Sequence, residues 1–245
     1  MRSYEDVVRR VEGLRGGQAR HRELARVQGY PVYCVERGDT GLPTALVTAG
    51  THGDEPAGVE AALAFLEDDP PPWLERLHVQ VIPCLNPYGY VHDTRHNAQN
   101  VDVNWAYARA DVPEVQVMRQ FAAGRRFEFA LDFHEDWESP GYYLYELRRG
   151  APGIGLEVTR RVSRVCPVNH STVIDDMPAA SGLIAPDFEQ EVQRRQSGIP
   201  LALFLDHTDH LLTSESPTML EMGARVAAHL VTLETVVAAH LSVRR

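Results

Sequence analysis

The chain has 245 residues, with 24 Lys plus Arg against 34 Asp plus Glu and a formal net charge of −10. That length suits one domain with a full apolar core, and the acidic balance argues against a nucleic-acid or general phosphate-binding role. Every basic residue is Arg, which excludes a phosphate-loop Lys, a Lys Schiff base and a Lys general base.

The opening "MRSYEDVVRRVEGL" reads as an amphipathic helix capped by Ser3, not as the apolar core of a signal sequence. Two strand-like runs, "RELARVQ" and "PVYCVER", follow and join at Gly29-Tyr30 as a hairpin. Cys34, Cys84 and Cys166 are far apart and form no Cys-x-x-Cys pair. An odd count without a signal pattern predicts reduced thiols and a cytoplasmic protein. "TALVTAG" reads as a strand, and a helix begins at Glu55-Pro56 and runs through Ala61, Ala62, Phe65 and Leu66 to a stop at Pro70–Trp73.

Further strands are expected in Leu77–Asn86, Phe127–His134, Pro200–Asp206 and Leu211–Glu215, and a last helix over Thr218–Leu241. The stretch from Asn86 to Ala110 has no clear period, and a loop of that length inside a domain is usually functional. Strands alternating with helices predict an α/β fold: one domain over residues 1–245, with a mixed, largely parallel twisted sheet flanked by helices. No apolar run is read as approaching the ~20 residues that span a bilayer, so neither a membrane nor a nucleic acid is an expected partner.

The chemistry is concentrated at strand ends. "VTAGTHGDEPAG" places His52 and Glu55 on the loop leaving a strand, where open α/β sheets put their ligands. His134 ends "FALDFH" in the same manner, and parallel strands bring such ends together. Two imidazoles and a carboxylate are the ligand set of an open catalytic zinc site. Asp132, two residues before His134, lies on the same side of its strand and is placed to orient an imidazole.

His52-x-x-Glu55, then "NPYGY" (Asn86–Tyr90), "RHNAQNVDVN" (Arg95–Asn104) and "DFH" together resemble the zinc carboxypeptidase family, and also its succinylglutamate desuccinylase and aspartoacylase branch. The resemblance implies one zinc ion per chain on His52, Glu55 and His134. It also implies that Arg95 polarises the scissile carbonyl and stabilises the oxyanion, and that Asn104 orients substrate. The family's general base ends a late strand before the C-terminal helix. In "HLLTSESPT" that position is Glu215, with Glu221 as the competitor.

Two departures bear on substrate. The Arg that follows the substrate-orienting Asn in the family is Trp105 here, which leaves Arg109 on the same loop as a replacement grip on a carboxylate. The family's late Tyr has no clear counterpart, since Tyr142, Tyr143 and Tyr145 come early in the chain. The extra C-terminal domain of the aspartoacylase branch is also not expected here. His207 and His210 in "DHTDH" have metal-like spacing but no completing pair, so a hydrogen-bonded turn or a pocket rim is expected. Glu135, Asp136 and Glu138 beside the third ligand read either as hydrogen-bonding support or as a field that disfavours acidic substrates. No Gly-x-Ser-x-Gly elbow supports a serine hydrolase. The expected activity is zinc-dependent hydrolysis of a peptide or amide bond in a small peptide. The rivals are an N-acyl-amino-acid deacylase and a catalytically silent zinc-binding recognition protein.

Overall fold

Ser3 accepts the amide hydrogen of Asp6 (3.3 Å) and opens α1 (Tyr4–Glu12), whose Tyr4, Val7 and Val11 are buried. The computed structural model describes residues 1–14, 19–150, 153–187, 189, 191 and 198–243. Strands β1 (Arg20–Val27) and β2 (Tyr30–Arg37) form the expected hairpin. Its turn is Gln28-Gly29, with φ of 52° and 85°, the two-residue turn whose twist matches the flanking strands. Then follow β3 (Thr44–Ala49), α2 (Pro56–Glu67), β4 (His78–Ile82), α3 (Pro87–His92), α4 (Pro113–Ala122), β5 (Ala130–Asp136), β6 (Tyr143–Arg148) and α5 (Gly155–Val162). The short strands β7 (Val173–Ile174), β8 (Met177–Pro178) and β9 (Leu183–Ile184) lead to α6 (Ile199–Asp206), β10 (His210–Pro217) and α7 (Met222–Val243).

Eight strands make one sheet in the order β1-β2-β4-β3-β5-β10-β6-β9. The four central strands, β4, β3, β5 and β10, are parallel, and antiparallel pairs flank them. The mixed, mostly parallel sheet read from the sequence is the sheet observed. Apolar side chains of α1, α2, α5 and α7 cover one face, and those of α4 and α6 cover the other. From β3 the chain crosses to β4 on one side, while β5 lies on the other. Their loops therefore part at the C-terminal ends of β3 and β5, the place where such sheets open a crevice for ligands.

Three sequence expectations are corrected. Residues Pro200–Asp206 are helical, not a strand: Ile199 to Phe204 are buried, and a short apolar run buried on all sides carries no period to separate helix from strand. Pro200 sits in the first turn after Gly198, where a missing amide hydrogen costs nothing. The last helix begins at Met222 rather than Thr218, because residues 218–221 form a turn in which the Thr218 amide bonds Asp136 O (3.0 Å) and the Leu220 amide bonds Pro217 O (3.2 Å). Finally, Met222–Ser242 is long and apolar enough, by length and composition, to cross a bilayer. In the fold this helix packs on α2 and α5 through Ala228, Leu233, Val236 and Val237.

Candidate metal centre

The loop that carries His52 is held by the Asn-Pro-x-Gly segment after β4. Asn86 is fully buried; its Oδ1 accepts the Gly89 amide (2.9 Å), its Nδ2 donates to Thr51 O (3.4 Å), and its own amide donates to Gly50 O (2.8 Å). The two loops touch backbone to backbone. A Cβ on Gly53 would lie 1.8 Å from the Gly89 carbonyl carbon, and one on Gly89 would lie 2.5 Å from Asn86 Nδ2. Gly53→Ala must drive the loops apart, and its expected cost is about 1–3 kcal/mol with weakened metal binding. A denaturation midpoint and a metal affinity both unchanged from the parent would show that the loops have room.

His52 and His134 are 2% exposed and Glu55 4%. Glu55 Oε1 lies 2.6 Å from His52 Nδ1, Glu55 Oε2 lies 2.7 Å from His134 Nδ1, and the two Nδ1 atoms are 3.2 Å apart. Glu55 Oε2 also accepts the Glu135 amide (3.1 Å), which ties the carboxylate to β5. On their outer sides, His52 Nε2 faces Asp102 Oδ1 (3.0 Å) and His134 Nε2 faces Asp132 Oδ2 (2.9 Å). Thr48 Oγ1 donates to the other oxygen of Asp132 (2.7 Å).

This donor set fits a metal ion. A carboxylate only accepts, so Asp102 and Asp132 hold the proton on each Nε2, and a metal that displaces the Nδ1 protons facing Glu55 would find a lone pair on each. Ligands placed tetrahedrally at about 2.0–2.1 Å from zinc stand about 3.3 Å apart; the nitrogens are 3.2 Å apart, and the 2.6 and 2.7 Å to Glu55 are hydrogen-bond lengths that a bound ion would open. The electrostatics agree. Burial alone would lower the pKa of His52, yet Glu55 and Asp102 more than offset it and raise it. His134 is raised against burial in the same way by Asp132 and Glu55. Burial would raise Glu55 and Asp102, but the imidazoles hold Glu55 well below the ordinary carboxylate range, and His52 with Arg95 does the same for Asp102. The cluster is short of positive charge, which a divalent cation supplies.

Arg95 is brought to this group: its Nε donates to Asp102 Oδ2 (2.8 Å) and its NH1 stands 3.5 Å from Glu55 Oε1. Asp102 therefore joins His52 to Arg95, a role that nothing in the spacing of "RHNAQNVDVN" marks. Asp102 also caps the 3-10 turn Val103–Trp105 through the Asn104 amide (3.1 Å). Asn104 is buried there with its Oδ1 unpaired. Arg109 stands elsewhere: its exposed guanidinium is engaged by Asp111, and among the described residues no contact joins it to the triad.

Glu215 lies opposite His134 in the β5–β10 register, so the two side chains share one face at one end of the sheet. Its carboxylate accepts no hydrogen bond among the described residues, and burial pushes its pKa up to about 8, with Glu55 and Asp136 adding to the rise and His134 opposing it. Glu221 is exposed in the turn before α7. Tyr143, set aside in the sequence for its early position, is the antiparallel neighbour of Glu215, and its hydroxyl donates to Asp136 Oδ2 (2.9 Å). Glu135 accepts the Ala57 amide at the start of α2 and pairs with Arg225, and Asp136 accepts from the Glu138 amide and Tyr143, so of the acidic run Glu138 alone has no side-chain bond among the described residues.

Comparison with known proteins bears on the fold. Residues 37–125 match a family profile described as a protein of unknown function, DUF2817. Over 92 residues, 32% of this chain, the sequence is 33% identical to Carboxypeptidase SOL1 of Arabidopsis thaliana, and the match spans 19% of that protein's length. A candidate metallopeptidase from Shewanella baltica superimposes with a TM-score of 0.79 at 23% identity, over 96% of this chain and 90% of that one. A metallo-carboxypeptidase from Burkholderia cenocepacia does so with 0.73 at 16%, over 100% and 70%. The fold is that of the metallo-carboxypeptidases.

Within this carboxypeptidase fold, Trp105 is 39% exposed and lies over the start of α6, its ring 3.5 Å from where a Cβ on Gly198 would stand. A cavity of about 940 Å³ lies at the opposite end of the sheet around Thr44, His210 and His240, so cavity size does not locate the chemistry. His207 and His210 belong to that end. His207 Nδ1 lies 3.0 Å from Arg125 O, and His210 bridges Glu146 (2.9 Å) and His240 (2.9 Å), the hydrogen-bonded turn that the spacing of "DHTDH" suggested.

Proposed function

We propose that the protein is a zinc-dependent, carboxypeptidase-like hydrolase of a peptide or amide bond in a small substrate. The observation that carries this reading is the convergence of two Nδ1 atoms and the Glu55 carboxylate at the sheet's C-terminal edge, with Glu215 in register beside His134. When bound by His52, Glu55 and His134, zinc would polarise a carbonyl and make water a nucleophile near neutral pH. Glu215 accepts the proton, since its carboxylate is unengaged and burial raises its proton affinity toward the working range. Arg95, fixed by Asp102, supplies the guanidinium that stabilises the developing oxyanion. Asn104 offers a substrate the polar atom that the fold leaves unpaired. Arg95→Ala is expected to lower kcat/KM on the order of 10²–10³-fold with zinc retained; a loss below threefold would move the oxyanion site elsewhere.

A second reading, N-acyl-amino-acid deacylation, is favoured by Trp105. An indole offers one N–H donor, where an Arg forms a two-bond fork with a carboxylate. The zinc-loaded protein should be offered peptides with free C-termini, the same peptides amidated, and N-acyl amino acids. Release of C-terminal residues from the free peptides supports the first reading. Turnover of N-acyl amino acids alone transfers the function to the second. No hydrolysis in any arm, with one zinc per chain present, would overturn both. Cys34, Cys84 and Cys166 are free and buried, and the proposal extends to a reducing, cytoplasmic setting.

A further inference from the structure

Behind Glu215, on the face of the sheet away from its carboxylate, lies a buried polar chain set in apolar core. Ser214 and Ser216 flank Glu215 on β10, so their side chains project to the opposite face, toward α7. One imidazole spans both: His229 Nδ1 lies 2.9 Å from Ser214 Oγ, and Nε2 lies 3.1 Å from Ser216 Oγ. His229, Ser214 and Ser216 are all fully buried. Ser214 Oγ donates to Tyr142 Oη (3.2 Å), which pairs with Thr232 Oγ1 (2.8 Å), which donates to Ala228 O (2.8 Å). The same imidazole packs on Phe133, the residue before His134, with ring centroids 4.7 Å apart.

The donors fall into one order. Thr232 ends the chain on a backbone carbonyl, so Tyr142 donates to Thr232, Ser214 to Tyr142, His229 Nδ1–H to Ser214, and Ser216 to the bare Nε2. Every hydroxyl donates once, and the ring is neutral; burial pulls the His229 pKa down to about 3. For stability alone such a chain is poorly explained, because replacing all its members with apolar groups of the same shape is often close to neutral. What an apolar contact lacks is direction. A ring bonded to the residues on both sides of Glu215 fixes the rotation of the strand end, and with it the aim of the carboxylate.

We propose that His229 is a positioning residue: its bridge between Ser214 and Ser216, seated on Phe133, holds Glu215 in the orientation from which it takes a proton. This rests on the reading of Glu215 as the base. His229→Phe keeps a ring against Phe133 and removes both bonds. The expected result is a kcat lower on the order of 10–100-fold, as for misplacement of a catalytic group by about 1 Å, with KM and zinc content unchanged. In a Glu215→Gln background the same change should cost nothing more, since its effect passes through that carboxylate. Ser216→Ala, which opens one side of the bridge, should show the same pattern more weakly and serves if His229→Phe does not fold.

A readout free of activity accompanies these. In ¹⁵N-histidine-labelled protein, His229 should appear as a neutral Nδ1–H ring with a slowly exchanging proton. A folded, zinc-loaded His229→Phe enzyme with kcat within twofold of the parent, an equal loss in both backgrounds, or a cationic and freely exchanging His229 would overturn the proposal. If instead Glu215→Gln alone leaves activity intact, the reading of Glu215 as the base fails and the positioning role falls with it, whereas the outcomes above overturn the positioning role alone.

Discussion

Protein in which His52 and His134 are both replaced by Ala should purify with no bound zinc, against one ion per chain in the parent. Glu55 would then be the sole remaining ligand of the triad, and one carboxylate does not hold zinc with high affinity. Asp102 and Asp132 would not substitute, because each bonds the outer nitrogen of its imidazole and stands behind the ring. The fold should survive the loss of two imidazoles better than the site does, since the sheet is held by its apolar faces. Full zinc occupancy of the double variant by metal analysis would remove the site from this place.

The metal-free parent should also show the cluster's appetite for protons. Folding raises both histidines above their ordinary value of 6.5, so their share of stability is whole below 6.5 and is lost as pH rises through the folded values. Folding depresses Glu55 from 4.5, so its share is present above 4.5 and is lost as pH falls through the lower value. The two together place the cluster's largest contribution between 4.5 and 6.5. Zinc must displace the histidine protons and should therefore bind more tightly as pH rises from about 6 to 8. A metal-free protein whose thermal midpoint climbs steadily over that range would show that this field does not protonate the imidazoles.

That His52, Glu55 and His134 come together could be read in the sequence because their signal is positional. An apolar run that ends in His is a strand end, and parallel strands leave few places for such ends to go. Asp132 was legible for the same reason, as it is two residues from His134 on an alternating strand. Asp102 was not, because its partner His52 is fifty residues earlier and the segment between has no period. That segment is held by side chains bonding to backbone: Asn86 and Asp102 act as caps, and Asn97 accepts the amides of Gln99 and Val101 (3.0 Å each). Such bonds replace hydrophobic patterning and leave α3 without a period to find. Helix α6 looks like a strand for the opposite reason, since burial on every side erases the difference between the two periods. Chain order hides Tyr143, whereas antiparallel pairing of β6 with β10 sets it beside Glu215 regardless of order. The Ser214–His229–Ser216 bridge had no sequence signal, because α7 supplies the His fifteen and thirteen residues after the serines it joins.

Glu215→Gln should keep its zinc and its fold, and lose activity on the order of 10²–10⁴-fold, the range of a general base. Three observations set this expectation. Glu215 is opposite His134 across β5–β10, so its side chain reaches the face on which His52, Glu55 and His134 converge. It accepts no hydrogen bond among the described residues, so the amide displaces no existing partner. Burial also disfavours its ionised form, so a neutral Gln relieves a desolvation cost and should leave the unfolding midpoint equal or slightly higher. Glu221 is the control within the same chain. It is exposed in the turn before α7, its carbonyl accepts the Ala224 and Arg225 amides, and Glu221→Gln leaves both of those backbone bonds in place. The pair of variants should differ by at least tenfold in kcat at equal zinc content. The reverse ranking would mean that the proton leaves by another group and that the register of β10 is not what positions the base.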